Sequence, residues 1–335
     1  MGSEQSAVVE QVRASVRAGG LLDHAGPLVA MLSGGRDSVC LLDVAVALCG
    51  AANVCAVHVN YGLRDAADAD ERHCVELCEA LGVELDVVRA GDRRTRSGEL
   101  QEQVGNLQAW ARELRYDAAG RLAHGLGKRA LIATGHTASD QVETILYRLA
   151  ASPGRRALLG MAPAEGRLVR PLLGVAREQT ADYCRVRGLA WREDESNEDE
   201  RFARARVRVH VVPALRAVHP AAEANVLRTA RLLREEKELL DALVEQELAG
   251  GAQIELAQLE ALAPALARLV VIRLAEQAAG GYVPQAGERV QELLALGRRG
   301  GRAELHVGGQ AGAVIEDGYL SMRRLPPRKQ PPNGG

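Results

Sequence analysis

A glycine-rich hexapeptide, Ser33-Gly34-Gly35-Arg36-Asp37-Ser38, contains the residues of this chain that are best suited to chemistry. The apolar run Pro27–Leu32 precedes it, and apolar residues at helical spacing follow it, so the hexapeptide is predicted to be a turn between a buried strand and a helix. Adjacent glycines let a backbone approach a ligand closely, and the free N–H groups at a helix start attract anions. The segment is therefore predicted to bind phosphate.

The hexapeptide lacks the features of one common type of phosphate-binding loop. It has neither the lysine nor the spacing of the G-x-x-x-x-G-K-[ST] loop, which excludes an ordinary kinase-like nucleotide site. Asp37 lies where a carboxylate could hold the magnesium ion that accompanies a nucleoside triphosphate. An acidic residue at a helix start is also favourable for structural reasons alone, so both interpretations of Asp37 stay open.

Two carboxylates form a second candidate site. Asp140 and Glu143 follow His136 and lie three residues apart, which places them on one face of a predicted helix. Two carboxylates that point into one cleft are a natural receptor for an ammonium group. Thr137 and Asp140 also have the spacing of a capping box, so Asp140 has a purely structural alternative.

Several cationic residues could join these acids. Arg112 and Arg115 lie on one predicted helix, and one of them could reach a phosphate whose charge builds up in a transition state. Arginines on an amphipathic helix also commonly coat a solvated face, and the i,i+4 pair Arg204 and Arg208 has the same two interpretations. His58 ends a predicted strand beside the phosphate loop, and this position favours a functional role over a structural one.

The elements that must position these residues alternate along the chain. The predicted strands are Pro27–Leu32, Val54–Asn60, Leu85–Ala90 and Ala130–Gly135. The predicted helices are Ser38–Leu48, Ala66–Leu81, Leu107–His124, Ser139–Ala150 and Val175–Arg187. Such alternation predicts an α/β fold with a doubly wound parallel sheet, whose ligands gather at the carboxyl ends of the strands.

The chain is predicted to change character at Pro220. Arg204–Val218 is expected to be helical apart from Pro213, and mostly helical segments follow the boundary. These segments are Ala221–Glu247, Leu256–Ala279 and Gly287–Leu296, with strand-like pieces at Ala303–Val307 and Ala313–Met322. We therefore predict a catalytic domain over 1–219, a smaller mainly α-helical domain over 220–325 and a disordered tail over 326–335.

Composition limits the class of protein. The 335 residues are 47% hydrophobic and carry a net charge of −2, so a nucleic-acid partner would have to meet a local arginine patch. No apolar run approaches membrane-spanning length and no signal-like segment opens the chain, so we expect a cytoplasmic enzyme without a membrane partner. The six cysteines include no C-x-x-C pair and are interpreted as small buried hydrophobes.

The Ser-Gly-Gly-x-Asp-Ser sequence resembles the pyrophosphate loop, or PP-loop, of the N-type ATP pyrophosphatases, which split ATP between its α and β phosphates. Over Pro27–Pro220 the chain is similar to the tRNA(Ile)-lysidine synthetases, which join lysine to the wobble cytidine of an isoleucine tRNA. The further matching segments are His58–Arg64, Ala111–Tyr116, His136–Thr144, Arg170–Leu173, Asp194–Asn197 and Arg204–Pro213. Tyr61, Thr137, Ser139 and Ala205 depart from the commonest family pattern.

The resemblance implies a role for each matching residue. ATP binding is implied for His58 and for the loop residues Ser33, Gly34, Gly35, Arg36, Asp37 and Ser38. Catalysis is implied for Asp37, Arg112, His136 and Arg204, with Mg²⁺ near Asp37. Lysine binding is implied for Asp140 and Glu143, and tRNA contact is implied for Arg208 and for the smaller domain over 220–325. The implied partners are ATP, L-lysine and a tRNA(Ile) with a CAU anticodon, and a homodimer is one implied assembly.

Three other functions compete with this interpretation. A sulfur-transferring tRNA enzyme, such as a tRNA cytidine thiolase, is disfavoured by the missing cysteine pair. A PP-loop amidotransferase is disfavoured because the chain lacks an N-terminal nucleophilic cysteine. A non-enzymatic nucleotide- or RNA-binding protein requires Asp140 and Glu143 to be no more than a helix start.

Overall fold

A computed structural model of the chain describes residues 2–23, 26–62, 67–90, 107–152, 154–193 and 200–326. The predictions for Leu63 and Arg64, for Asp194–Asn197 and for the tail from 327 onward lie outside these residues. By its contacts the chain forms two compact units, Met1–Arg231 and Leu232–Gly335. The boundary between these units, at residues 231 and 232, falls inside a helix. The domain boundary expected at residues 219 and 220 stays a prediction.

The first unit is built on a six-stranded sheet with the strand order β3-β2-β1-β4-β6-β5. Its strands are β1 Leu28–Met31, β2 Val54–Asn60, β3 Glu84–Arg89, β4 Leu131–Ala133, β5 Ala164–Glu165 and β6 Leu168–Val169. Neighbouring strands are parallel except for β5, which pairs with β6 as a short antiparallel hairpin at the edge. The predicted doubly wound parallel sheet is confirmed, whereas the edge hairpin was not predicted.

Ten α-helices lie between residues 2 and 248 of the described chain. They are α1 Gly2–Ala18, α2 Arg36–Cys49, α3 Ala67–Leu81, α4 Leu107–Gly125, α5 Ala138–Ala151, α6 Arg155–Leu158, α7 Arg177–Arg187, α8 Ala203–Arg206, α9 Val212–Val218 and α10 Ala222–Leu248, which crosses the boundary between the two units. A π-helical turn, Val207–Val211, joins α8 to α9, so helical backbone continues through Pro213. One apolar core contains residues of α1, α2, α3 and α7, and a second contains residues of α4.

The strand order changes direction at β1. The chain passes from β1 to β2 on one side of the sheet and later places β4 on the other side, with Ala30 paired to both Ala56 and Ala133. The loops that follow β1 and β4 therefore start side by side at the carboxyl ends of adjacent strands. This is the switch point at which doubly wound sheets bind ligands.

A buried carboxylate joins α1, α2 and α7. Asp43 accepts hydrogen bonds from Tyr183 Oη at 2.6 Å and from Arg187 Nε and Nη2, both at 3.0 Å. Arg13 Nη2 lies 3.6 Å from the same carboxylate, whose side chain is only 2% exposed. Helix α1 was missed by the sequence analysis because its buried face is formed by valines, which favour helices weakly and need tertiary packing to adopt one.

The second unit contains an antiparallel sheet with the order β7-β10-β9-β8. Its elements after α10 are β7 Gln253–Glu255, α11 Leu256–Ala261, α12 Pro264–Ala279, α13 Val290–Gly297, β8 Ala303–Gly308, β9 Ala311–Glu316 and β10 Tyr319–Arg324. The helix predicted over Leu256–Ala279 divides before Pro264. The strand-like segment predicted over Ala313–Met322 divides into β9 and β10, because Asp317 and Gly318 have φ values of 50° and 81° and form a tight hairpin turn.

Among the described residues, no helix is both long enough and apolar enough to cross a membrane.

We expect Asp43→Asn to lower the free energy of unfolding by about 2 kcal/mol, because it removes the charge of a buried acceptor that Tyr183 and Arg187 bind. Burial raises the pKa of Asp43, but Arg187, Tyr183 and Arg13 outweigh it and hold that pKa below its ordinary value. The stabilisation is therefore present at neutral pH and is lost as the pH falls through the folded-state pKa. Urea denaturation followed by circular dichroism measures the difference between the proteins.

Asp182→Asn is the matched control for this measurement. Asp182 pairs with Arg185 on the exposed face of α7, where an ion pair contributes little. Equal losses in the two variants would contradict the stabilising role assigned to Asp43.

Candidate active site

The phosphate loop is folded on itself by two serines. Ser38 Oγ donates to the carbonyl oxygen of Gly35 at 2.8 Å and accepts from the backbone N–H of Ser33 at 3.2 Å. The hydroxyl oxygens of Ser33 and Ser38 are 3.1 Å apart. Gly34 has a φ of +83°, and α2 begins after Gly35 without a side-chain cap. The loop therefore has the open helix start that binds anions.

The loop after β4 lies directly against this helix start. A Cβ atom added to Gly135 would lie 3.0 Å from the backbone carbon and oxygen of Asp37 and 3.1 Å from the nitrogen of Ser38. A side chain at position 135 would force one of the two backbones to shift by a few tenths of an ångström. Gly135 therefore brings the residues that follow it, including His136, next to the phosphate loop.

His58 supports the loop from the neighbouring strand. Its Nδ1 lies 2.9 Å from the carbonyl oxygen of Leu32, the residue before the loop, so this nitrogen carries the proton and donates it. Burial lowers the pKa of His58, which favours the neutral ring. The ring thus positions the loop, and direct contact of His58 with ATP stays a prediction.

Three carboxylates converge on Arg177, the first residue of α7. Its Nη2 donates to Asp140 Oδ1 at 2.9 Å, its Nη1 donates to Glu143 Oε1 at 3.0 Å, and its Nε lies 3.8 Å from Asp37 Oδ2. Thr180, one turn further along α7, donates to Asp37 Oδ1. Burial is the largest influence on Asp37 and raises the pKa of its carboxyl group.

Arg177 and Thr180 are site residues that the sequence analysis missed. One signal was present, because a cation in the first turn of a helix opposes the helix dipole and therefore needs another reason to be there. That reason is the group of acids contributed by α2 and α5.

Asp140 has both of the roles that were considered for it. Its Oδ2 accepts from the backbone N–H of Thr137 at 2.9 Å and from Thr137 Oγ1 at 2.7 Å, which completes a capping box at the start of α5. Its Oδ1 instead faces Arg177. Burial raises the pKa of Asp140, but Arg177 and the Thr137 bonds outweigh it, so the pKa lies below its ordinary value.

Arg204 and Arg208 reach the same acids from α8 and the following π-helical turn. Arg208 donates to Glu143 through two bonds, Nε to Oε1 at 2.7 Å and Nη2 to Oε2 at 2.9 Å. Arg204 Nη2 donates to the backbone oxygen of Asp140 at 3.2 Å. These contacts place Arg208 at the acid pair, and its role in tRNA binding stays a prediction.

His136 and Arg112 lie at the edge of this group. His136 Nδ1 is 2.7 Å from Thr134 Oγ1, and burial, with added effects of nearby arginines, lowers the pKa of the ring to about 4. The ring is therefore neutral at pH 7. The Arg112 guanidinium lies over the ring of Tyr116, 4.6 Å from its centroid, so the structure does not bring it into an ion pair with the described acids.

The residues that depart from the family pattern have structural partners. Ser139 Oγ accepts from the backbone N–H of Arg177 at 3.2 Å and so fixes the start of α7 against α5. Tyr61 Oη donates to the backbone oxygen of Ala111 at 2.9 Å, and its ring packs against Trp110. Thr137 caps α5, and Ala205 is buried on α8.

Comparison with known proteins identifies the fold family. Residues 6–215 match the PP-loop domain. The chain belongs to the PP-loop family. The matched residues include Ser33–Ser38, at the switch point of the sheet, and their assignment as the pyrophosphate loop stays a prediction.

Two curated proteins are similar to this chain over part of their length. The tRNA(Ile)-lysidine synthase of Pseudomonas syringae pv. tomato is 40% identical over 226 residues, which cover 65% of this chain and 48% of that protein. The tRNA(Ile)-lysidine synthase of Dehalococcoides mccartyi is 32% identical over 306 residues, which cover 86% of this chain and 64% of that protein. The chain thus spans about half to two thirds of the length of these relatives.

A solved structure supports the fold. The U34-tRNA thiolase NcsA from Methanococcus maripaludis, with its [4Fe-4S] cluster, superposes with a TM-score of 0.57 over 68% of this chain and 80% of that chain. The two sequences are 18% identical, so the likeness extends to the PP-loop fold alone.

We expect the His136 ring to titrate near pH 4, well below the ordinary histidine value, because its burial disfavours the imidazolium form. NMR of ¹³C-labelled histidine, with His136→Gln used for assignment, measures this pKa. The unfolded chain binds this proton more readily, so the ring's contribution to stability is lost as the pH falls below about 6.5. A ring that titrates at its ordinary value would contradict the buried, neutral site.

Proposed function

We propose that this chain contains the catalytic part of a tRNA(Ile)-lysidine synthetase. The reaction joins lysine to C2 of the wobble cytidine, C34, in the CAU anticodon of a minor tRNA(Ile), and it converts ATP to AMP and pyrophosphate. One observation carries the proposal. The acid pair Asp140 and Glu143, which binds arginine side chains, lies beside the phosphate loop, because Arg177 contacts both acids and also Asp37 of the loop. An activated phosphate and an amine can therefore meet at one place, and the relatives of the same name support this choice.

The first step is adenylation of the cytidine. With ATP on the Ser33–Ser38 loop, O2 of the cytidine attacks the α-phosphorus, and the bond to pyrophosphate breaks. The negative charge that develops on the α-phosphate is stabilised by the start of α2 and by Arg204, with Arg112 as a further cation from α4. The neutral ring of His136 adds no charge and can hydrogen-bond to the nucleotide.

The residues around Asp37 fit a magnesium ion. Within the described residues, no group of three or more His, Cys, Asp and Glu side chains is arranged to hold a metal. Magnesium, however, binds through one or two carboxylates together with substrate phosphates, and Asp37 is a carboxylate at the phosphate loop. When bound, the ion supplies charge neutralisation for the phosphates and the leaving pyrophosphate.

The second step forms the carbon–nitrogen bond. The unprotonated ε-amine of lysine attacks C2 of the adenylated cytidine, and the bond from C2 to the oxygen of AMP breaks. Asp140 and Glu143 bind lysine while its amines are protonated ammonium groups, and they orient the nucleophile toward the nucleotide before it loses its proton and attacks. A cytoplasmic location, a homodimer and contact of the second unit with the tRNA stay predictions.

We expect the purified chain, with ATP and Mg²⁺, to transfer radiolabelled lysine to a tRNA(Ile) with a CAU anticodon. Acid precipitation of the tRNA measures the product, and a tRNA(Ile) with a GAU anticodon is the control because it lacks the wobble cytidine. Label that is transferred equally well without ATP, or no label on the tRNA at all, would contradict the proposed function.

We expect Gly135→Ala to weaken ATP binding by about tenfold or more, because the added methyl group lies too close to the backbone of Asp37 and Ser38 at the start of α2. Isothermal titration calorimetry measures the ATP affinity. Gly120→Ala is the matched control, since a Cβ at that helical glycine has no neighbour within 4 Å. Equal affinities in both variants would show that the close approach of the β4 loop does not shape the ATP site.

A further inference from the structure

The two carboxylate oxygens of Asp37 have different surroundings. Oδ1 accepts a hydrogen bond from Thr180 Oγ1 on α7. Oδ2 lies 3.8 Å from Arg177 Nε, which is within ion-pair range and beyond hydrogen-bond range. Oδ2 accepts no hydrogen bond from the described residues, and 24% of the Asp37 side chain is exposed. One oxygen is therefore held inside the protein, and the other is available to a ligand.

Thr180 is the donor that makes this difference. The residue is fully buried, and its Oγ1 also lies 2.8 Å from the backbone oxygen of Arg177 in the preceding turn of α7. A hydroxyl group has a single proton, and a charged carboxylate is a stronger acceptor than a backbone oxygen. The proton of the Thr180 hydroxyl therefore belongs to the bond with Asp37.

The position of this hydroxyl is fixed by α7. A β-branched side chain has few allowed rotamers in a helix, and the rotamer of Thr180 brings Oγ1 toward both Asp37 and the preceding turn. Helix α7 is anchored to α2 by Tyr183 and Arg187, which donate to Asp43. Asp37 lies on the same helix as Asp43, so the packing that holds the donor also holds the acceptor.

The orientation of the Asp37 carboxylate depends on this donor. The last torsion of an aspartate side chain is broad, so partners rather than rotamer preference orient the group. The ion pairs with Arg177 at 3.8 Å and with Arg36 at 4.0 Å are too long to be hydrogen bonds and do not set this torsion. Thr180 is thus the described residue that fixes the plane of the carboxylate.

From this arrangement we propose that Thr180 is a positioning residue for the metal ligand Asp37. Its hydroxyl holds Oδ1 and leaves Oδ2 as the oxygen that binds the magnesium ion accompanying ATP. Magnesium requires nearly ideal octahedral geometry, so a misaligned carboxylate binds it poorly. The proposal rests on the proposed function, which assigns magnesium to Asp37, and adds a residue that lies outside the segments matching the family pattern.

The effect of magnesium on ATP affinity tests this role. We expect Mg²⁺ to strengthen ATP binding by the wild-type chain, and Thr180→Val to reduce this strengthening by about tenfold. Isothermal titration calorimetry of the full chain with ATP, once in Mg²⁺ and once in EDTA, measures both affinities. The affinity in EDTA should be unchanged, because valine keeps the shape of the buried side chain and removes only the hydroxyl.

Three further variants make the comparison specific. Thr180→Ser keeps the hydroxyl and should keep the magnesium effect. Thr144→Val is the matched control, because it removes a buried hydroxyl that has no hydrogen-bond partner among the described residues, and it should behave as the wild type. Asp37→Ala should lose the magnesium effect, and Thr180→Val added to it should cause no further loss, since Thr180 acts through Asp37. If Thr180→Val does not fold by circular dichroism, Thr180→Ala takes its place.

The outcomes separate this proposal from the proposed function. If Mg²⁺ strengthens ATP binding equally in the wild type and in Thr180→Val, the positioning role is wrong and the function stands. A loss of ATP affinity that is the same in Mg²⁺ and in EDTA, or an additive loss in the double variant, would show a general structural role instead. If Mg²⁺ does not change the ATP affinity of the wild type, the assignment of magnesium to Asp37 fails, and the role of Thr180 fails with it. Lysine transfer to tRNA tests the function independently of these results.

Discussion

The site depends on one buried guanidinium that holds three carboxylates from two helices. Arg177 contacts Asp37 on α2 and both Asp140 and Glu143 on α5. Carboxylates taken out of water at such close range repel one another unless cations and hydrogen bonds compensate them. The start of α7 therefore fixes the position of the phosphate loop relative to the acid pair. It brings the proposed ATP site and the proposed amine site together.

The rest of the fold makes this contact available. The switch point brings the loops after β1 and β4 together, and Gly135 lets their backbones approach to a distance that a side chain would prevent. The Asp43 cluster ties the middle of α7 to α2, so that Arg177 and Thr180 are presented from a helix that is anchored further along. The buried Asp43 cluster, the close backbone contact at Gly135 and the ion pairs of Arg177 thus all hold α2, α5 and α7 in position around the site.

Local patterns in the sequence predicted much of this arrangement. The spacing of Asp140 and Glu143 predicted their common face, and the Thr137 pattern predicted the capping box that exists beside the acid role. Alternating strands and helices predicted the parallel sheet, because hydrophobic periodicity is a local property. The Asp317-Gly318 turn was also visible locally, as a dipeptide typical of tight hairpins, and it was overlooked.

What could not be predicted depends on long-range packing. Arg177 meets acids that lie 34 and 37 residues earlier in the chain, and this meeting requires the strand order as well as the helix positions. Helix α1 forms because its valines are buried by other elements, which the segment alone does not show. The contact of Arg112 with Tyr116, by contrast, has i,i+4 spacing on α4 and was visible locally.

The proposed chemistry depends on an amine that is held beside the phosphate loop by Asp140 and Glu143. A crystal structure of the chain with L-lysine and a non-hydrolysable ATP analogue tests it most directly. We expect a lysine nitrogen about 3 Å from a carboxylate oxygen of Asp140 or Glu143. Lysine bound away from both acids would contradict the proposed chemistry.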